Sequence, residues 1–283
     1  MPRAGSLTKP KQYAFFGTVA GLPFWSVGLT LLAAEPGLGK TSWLLRMTHE
    51  AAKENVPVAI GCYEHTAEEL KHRLERQATA IVSEAHEPAD PDQVDRELAR
   101  GCQAVLLGLS DREDTLRSIE ETLLEDYGFP EFGPALLAVD YLQRIPVVGV
   151  TGRVGEEQRA GEAAAGLRRL SRKRGWAIVA AAALKARSFQ KGNLNGLGQH
   201  APGPGLGNLL GDERVAYEAD RVYSITRSGE IQLCGCIDLE VQMLKNRVGP
   251  LTRFPIHFWG ARYFPALAKD GAHPDIDLEG AVA

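Results

Sequence analysis

The 283-residue chain lacks any run of 18 apolar residues free of charge, and its opening stretch, MPRAGSLTKPKQYAFFG, lacks the long apolar segment of a secretory signal. A membrane partner and an export route are therefore not expected, and the protein is expected to be cytoplasmic. Cysteine is scarce. Cys62, Cys102, Cys234 and Cys236 stand too far apart or too close together for the paired CxxC spacing of a zinc site, so all four are read as reduced packing residues. An excess of positive charge is also missing: the net charge of -4 excludes a uniformly basic coat for nucleic acid, although a local basic channel remains compatible with it. No internal repeat is present. What the chain does have is 44% hydrophobic residues, enough for one substantial core or two small ones.

From residue 29 onward, apolar runs alternate with amphipathic stretches, the pattern of an α/β domain with a largely parallel sheet. Strands are expected at 29–34, 56–63, 103–108, 134–140 and 176–184, and helices at about 40–53, 66–79 and 155–174. Thr66-Ala-Glu-Glu69 has the spacing of a capping box, and Ser110-Asp-Arg-Glu113 repeats it ahead of a helix reaching about residue 126. The hydrophilic stretch EAHEPADPDQ reads as a turn or surface excursion. Residues 188–208, with six glycines and two prolines, read as a long loop. Short β-type runs follow at 221–226, 230–235, 239–245 and 253–259, and the acidic tail 268–283 is expected to be disordered. The expected division is an arm over 1–20, a domain over 21–267 and that tail.

Between the first strand and first helix lies Ala34-Glu35-Pro36-Gly37-Leu38-Gly39-Lys40-Thr41-Ser42, which fits the P-loop pattern in the strand-to-helix setting its mechanism requires. In such a loop the backbone N–H groups and the helix N-terminus surround phosphate oxygens, Lys40 reaches the outer phosphates and the Thr41 hydroxyl ligates Mg²⁺. Residues 35–42 are thus the candidate ATP cradle. Hydrolysis needs two further groups, a carboxylate near the metal and a base or water-positioning residue. Asp140, ending the apolar strand LLAVD, suits the first role, and Glu64, ending the strand after the P-loop helix, suits the second. The lesser alternative for Glu64 read on its own is a solvated residue capping the next helix.

These motifs together resemble the C-terminal ATPase domain of DnaB-type replicative helicases, a branch of the RecA-like motors. The resemblance covers most of residues 20–265: LTLLAAEPGLGKTS looks like the family's P-loop strand, YEHTAEEL (63–70) its catalytic-glutamate strand end, and AVDYLQRI (138–145) its Asp-Tyr-Leu-Gln motif. LGDERVAYEADRV (210–222) is similar to the segment after the family's DNA-contacting loop, and MLKNRVGPLTRFPIHF (243–258) to its Lys-Asn-Arg-x-Gly-Pro strand and turn. The resemblance implies a RecA-like P-loop NTPase fold with a mostly parallel central sheet flanked by helices and a C-terminal antiparallel β extension. It implies ATP and Mg²⁺ as substrate and cofactor, Glu64 as catalytic base, and Lys245 and Arg247 reaching the nucleotide of a neighbouring subunit. It further implies a homo-oligomer, by resemblance a hexameric ring around single-stranded DNA, with a loader or primase as further partner.

Two departures from the family pattern stand out. Fewer than 30 residues precede the P-loop strand, so the resemblance is to the motor half alone. After the strand WAIVAAAAL the family usually places a polar sensor of the γ-phosphate, whereas the aligned position here is Ala183, with Lys185 and Arg187 nearest. The loops 146–158 and 188–208 are expected to face the ring centre and to offer Arg153, Arg187 and Lys191 to nucleic acid, with Phe189 their one aromatic residue. The basic series Arg159, Arg168, Arg169, Arg172, Lys173 and Arg174 reads either as a further patch or as a solvated helix face. Three functions fit in descending order: an ATP-driven motor on single-stranded DNA, a nucleotide-timed switch without unwinding, and a small-molecule kinase. The last lacks an arginine-dense lid segment.

Overall fold

The computed structural model describes residues 17–19, 22–83, 90–101, 103–147, 152–185, 205–231, 236–247, 249 and 251–267. A small antiparallel hairpin, β1 (Gly17–Val19) and β2 (Leu22–Trp25), straddles the expected boundary between arm and domain. The main sheet has nine strands: β3 (Gly28–Ala34), β4 (Val58–Cys62), β5 (Val105–Gly108), β6 (Leu136–Asp140), β7 (Ala177–Ala183), β8 (Arg221–Ile231), β9 (Cys236–Asn246), β10 (Arg253–Trp259) and β11 (Phe264–Leu267). Their order across the sheet is β11-β10-β9-β8-β3-β7-β6-β4-β5. The six strands from β8 to β5 in that order run parallel, and β9, β10 and β11 extend the sheet antiparallel, in line with the sequence.

Alternation along each central strand divides the core into two layers. Leu32, Ala34, Ile60, Leu136, Ala138, Val179 and Ala181 point to the face covered by α1 (Lys40–Lys53) and α2 (Ala67–Val82). Leu29, Leu31, Leu137, Val139, Ile178 and Ala180 point to the face covered by α4 (Leu116–Glu125) and α5 (Gly152–Arg174). Both layers must be filled, which is why β6 and β7 read as unbroken apolar runs. Trp43, Leu44, Leu45 and Met47 of α1 are all fully buried, and each such side chain contributes roughly 1.5–3 kcal/mol of burial free energy.

The helix ends follow their local chemistry. Thr66 and Glu69 form the expected capping box on α2. The second expected box is a correction: Ser110 does not cap α4, because Asp114 folds back to accept from the Ser110 N–H and Thr115 caps Ser118 instead. The hydrophilic stretch after α2 also differs from expectation, since Pro91–Gly101 forms a helix, α3, whose start is fixed by the Asp90 carboxylate accepting from the Asp92 N–H, with Pro91 in the first helical position. A short helix, α6 (Glu213–Glu218), is a further element that the hydrophobic pattern does not announce. The two runs at 221–226 and 230–235 correspond to the single strand β8, with 232–235 outside the described residues. The expected tail, 268–283, and most of the loop at 188–208 also lie outside them.

Candidate active site

At the C-terminal ends of the parallel strands, next to β3, a crevice of about 400 Å³ opens between the P-loop, β4, β6 and the antiparallel extension. Pro36, Gly37, Gly39, Lys40, Thr41, Ser42, Glu64 and Asp140 line it. Eight sequence-predicted residues thus meet in one place, although they come from three separated segments. Two others of the loop do not line the crevice with them. Leu38 is 3% exposed and belongs to the core, and Glu35 lies beside the loop with its carboxyl raised by burial, against the opposing charges of Arg227 and Lys40.

α1 is preceded by Gly39 at its N-cap, in a left-handed conformation with φ 77°, and has no side-chain cap. A side chain at this position is excluded twice over, because a Cβ would also lie 2.6 Å from Phe258 Cζ of β10. The first-turn N–H groups therefore face the crevice without a competing side-chain acceptor, as an anion site requires. Asn55, left-handed at φ 58°, closes the other end of α1, with the Asn55 and Val56 N–H groups donating to Ala52 and Ala51 carbonyls.

The Lys40 ammonium donates to the carbonyls of Ala34 (3.1 Å) and Glu35 (3.0 Å). Burial lowers its pKa, partly offset by the charges of Asp140 and Glu64, so its cation is held in the crevice by acidic neighbours without a direct carboxylate bond. The Thr41 hydroxyl donates to Asp140 Oδ2 at 2.5 Å, and the Cys62 thiol approaches the same oxygen at 3.7 Å. Burial, followed by the Asp140 charge, raises the Cys62 thiol to about 12. Thr41 and Asp140 form an oxygen-only donor pair on neighbouring elements, which fits a hard divalent cation such as Mg²⁺. Glu64 is exposed at the end of β4, facing the same opening.

The sequence reading does not single out Arg73, Tyr263 or Phe258, which complete the crevice. The Arg73 guanidinium stands 4.9 Å from the centroid of the Tyr263 ring. Gln77 fixes this corner by donating to the Tyr263 carbonyl (2.5 Å) and to the Ser42 carbonyl (2.7 Å). Tyr263 adopts φ 51°, a conformation no local pattern around it advertises. A sequence signal exists only for Arg73, which lies one turn along from Glu69 on the same helix face.

Lys245 and Arg247 lie elsewhere. Asn246 pairs with Arg221, and Arg221 with Thr30, near the beginning of β3. The P-loop leaves from Ala34, about 13 Å further along the strand. Lys245 donates to the Ala216 (2.7 Å) and Tyr217 (3.0 Å) carbonyls, and Arg247 donates to Tyr217 (2.7 Å) and pairs with Asp220 at 3.6 Å. Asp220 also accepts from the Leu29 N–H (3.0 Å), and a Cβ on Gly28, at φ 123°, would sit 2.7 Å from that same carboxylate. These two cations therefore belong to the far end of the sheet and do not reach the crevice of their own chain.

Ala183 does line the crevice, so the position expected to carry a polar sensor holds only a methyl group. Arg153 falls in the first turn of α5, which begins at Gly152, so the stretch 146–158 is only partly a loop; Arg187 and Lys191 lie outside the described residues. The basic series on α5 is neither one patch nor one solvated face. Arg168 is buried against Glu218 (3.1 Å) and Asp220 (3.4 Å), and Lys173 and Arg174 share Glu120. Away from the crevice, Cys236, Asp238 and His257 bring potential ligand atoms within 4.8 Å of one another, with the His257 Nδ1 and Asp238 Oδ1 atoms 2.7 Å apart. Cys62 and Cys236 are buried and form no disulfide. Among the described residues no helix is long and apolar enough to cross a membrane.

The fold and the site can be set beside known proteins. Residues 20–263 match the family described as DnaB-like helicase C terminal domain. Among solved structures, one described as an ATPase domain superposes with a TM-score of 0.67 at 16% identity, over 86% of this chain and 85% of that one. A DnaB-like replicative helicase, from a structure concerned with its interactions with primase, superposes with a TM-score of 0.66 at 17% identity, over 84% of this chain and 58% of that one. No curated protein sequence gives a significant match. At these identities the structural likeness establishes the shared fold alone, and the family match, which spans most of the chain, establishes more. The chain belongs to the DnaB-like helicase C-terminal domain family.

Proposed function

We propose that the protein is an ATP-hydrolysing motor that assembles into a ring, in the family's manner a hexamer, and moves on single-stranded DNA in the cytoplasm. The observation that carries this reading is a division of labour across the sheet. Lys40, Thr41, Asp140 and Glu64 converge on one crevice, while Lys245 and Arg247 sit at the opposite end of the strands. A single chain holds the phosphate cradle, the carboxylates and a cation pair that its own nucleotide cannot use. Head-to-tail packing of identical chains would bring the far end of one against the crevice of the next, and a closed ring satisfies every copy.

In this reading the P-loop N–H groups and Lys40 bind the ATP phosphates, Arg73 and Tyr263 flank the base, and Glu64 accepts the proton of the attacking water. Thr41 and Asp140 would hold Mg²⁺, which when bound would neutralise phosphate charge. Arg247 of a neighbouring copy stabilises the charge that develops on the γ-phosphate, an effect worth about 10³–10⁵ in rate in comparable enzymes, on the order of 4–7 kcal/mol. Arg153, Arg187 and Lys191 are the proposed phosphate contacts to DNA, and a loader or primase is a proposed further partner. Residues 21–267 would form the motor domain, with 1–20 as an arm.

A second reading, a nucleotide-timed switch that does not translocate, is favoured by Ala183, which offers no side-chain hydrogen bond where the family's sensor stands. The two readings separate in one experiment: the rate of ATP hydrolysis with and without single-stranded DNA, with oligomeric mass measured alongside. The motor reading predicts a DNA-stimulated rate in the oligomer and its loss in Glu64→Gln. Hydrolysis indifferent to DNA contradicts translocation and favours the switch. Absence of hydrolysis in the assembled protein contradicts both.

A further inference from the structure

We propose that Gln143 is a positioning residue that couples the nucleotide crevice to both arms of the segment between Lys185 and Gly205. The inference rests on the nucleotide-driven reading above, and it supplies a connection that Ala183 cannot make through its side chain.

The end of β7 is where this connection has to pass. Ala183 lines the crevice with a methyl group, yet both of its backbone groups are engaged: its N–H donates to Gln143 Oε1 (3.2 Å), and its carbonyl accepts from the Leu210 N–H (2.8 Å). Gln143 Nε2 in turn donates to the Leu210 carbonyl at 2.8 Å. One side-chain amide thus holds the outgoing arm with its oxygen and the returning arm with its nitrogen. The orientation is unambiguous, because Ala183 offers a donor and Leu210 an acceptor, and only one arrangement of the amide satisfies both. Beyond this point the arms are joined by the antiparallel bridge Leu184–Leu209 and by the Lys185 N–H donating to Asn208 (2.7 Å).

The other end of the connection is the crevice itself. Gln143 lies three residues after Asp140, in a single turn of 3-10 helix over Leu142–Arg144, and is only 9% exposed. Asp140 accepts from Thr41 of the P-loop, and Tyr141 lines the crevice. A shift of Asp140 or Tyr141 on nucleotide binding is passed to Gln143 through a short, tightly turned piece of backbone. The arms move together because they are bonded to each other, and the amide ties that pair to Asp140 and Tyr141 in a buried setting where an unmade hydrogen bond is costly. The amide donates and accepts at once: Leu fills the space and makes neither bond, and an ionised Glu keeps an acceptor but loses the donor to Leu210.

A purely structural staple would lower stability when removed but leave the arms' response to nucleotide intact, so the test reads that response. Hydrogen exchange is followed in peptides covering 183–185 and 205–210, with and without a non-hydrolysable ATP analogue and Mg²⁺, in wild type, Gln143→Leu and Gln143→Glu. In wild type the analogue is expected to slow exchange in both peptides by a factor of about ten. In Gln143→Leu the analogue should bind with an affinity within about threefold of wild type while the change in exchange is lost, and DNA stimulation of hydrolysis should fall by about tenfold. Gln143→Glu, which keeps the bond to Ala183 and loses the one to Leu210, should reduce the response in both peptides, because the arms stay bonded to each other at Ala183–Leu210, Leu184–Leu209 and Lys185–Asn208; it carries the comparison should the Leu variant not fold. An equal nucleotide response in all three proteins overturns the proposal, as does a wild type whose arms do not respond. A wild type whose arms respond through Gln143 but whose hydrolysis ignores DNA would sustain this coupling and sink the motor reading.

Discussion

Replacing Gly39 by Ala tests how the antiparallel extension supports the P-loop. The perturbation has two separable parts. The backbone at residue 39 has φ 77°, where an L side chain costs roughly 1–2 kcal/mol. The new methyl group would also stand 2.6 Å and 2.7 Å from Cζ and Cε2 of the buried Phe258 ring, and overpacking of this kind costs about 1–3 kcal/mol. Gly39→Ala should therefore destabilise the protein by about 2–5 kcal/mol, a large share of the roughly 5–15 kcal/mol available to a folded domain. Phe258→Leu removes the ring atoms that clash but not the backbone strain. The double variant should accordingly be more stable than the sum of the single effects by about 1–3 kcal/mol. Urea unfolding followed by circular dichroism, with the midpoint compared at constant slope, measures all four corners of the cycle. Additivity within about 0.5 kcal/mol would refute the claim that the β10 ring packs against the loop.

Two further outcomes follow from ionisable groups near α1 and β6. The Glu97 carboxyl is held down to about 2 by the hydrogen bond to His49 (2.8 Å) and the bond from Lys53 (3.0 Å), which together fasten α3 to α1. Its folded pKa lies below the unfolded value of about 4.3, so the stabilisation is present above that pH and is lost as pH falls toward 2; the shift corresponds to at most about 3 kcal/mol, which solvent screening of the pair reduces. Unfolding midpoints measured between about pH 5 and 2.5 should fall less steeply in Glu97→Gln than in wild type, and parallel curves would contradict the assignment. Cys62, buried with its thiol at about 12, should resist iodoacetamide at neutral pH in the native protein and react once unfolded. Mass spectrometry of the Cys62 peptide decides this, and native labelling at the rate of an exposed thiol would show that the crevice opens beyond β6.

Much of the site is legible in the sequence because its chemistry is local. A P-loop must sit between a strand and a helix, and the carboxylates of a parallel sheet must stand at strand ends, so Lys40, Thr41, Glu64 and Asp140 can be placed together without coordinates. The same locality explains the failures. Arg73 and Tyr263 meet across a long stretch of chain through a left-handed Tyr263 that no pattern marks. Arg168 reads as part of a basic face, yet Glu218 and Asp220 of a distant segment turn it inward. At residues 110–118 two threonine- and serine-led caps compete, and Asp114 decides between them by bonding backward to Ser110. α3 escapes a hydrophobic-pattern reading because it is polar throughout much of its length, although Asp90-Pro91 at its start and Val94 and Leu98 one turn apart are available as signals. Gln143 is visible inside the Asp-Tyr-Leu-Gln stretch, but its two partners, Ala183 and Leu210, are joined only by the fold.

The claim that hydrolysis takes place between subunits is tested most directly by mixing two inactive variants. Glu64→Gln lacks its own base but retains Arg247, and Arg247→Ala retains Glu64 but lacks the cation it would lend to a neighbour. If the active site is shared, equal amounts of the two, co-assembled, should recover about a quarter of wild-type ATP hydrolysis, the fraction of interfaces that join an intact Glu64 to an intact Arg247 in a randomly mixed ring. Mixtures no more active than either variant alone, in oligomers shown to contain both, would contradict the account and return Arg247 to a purely structural role beside Tyr217 and Asp220.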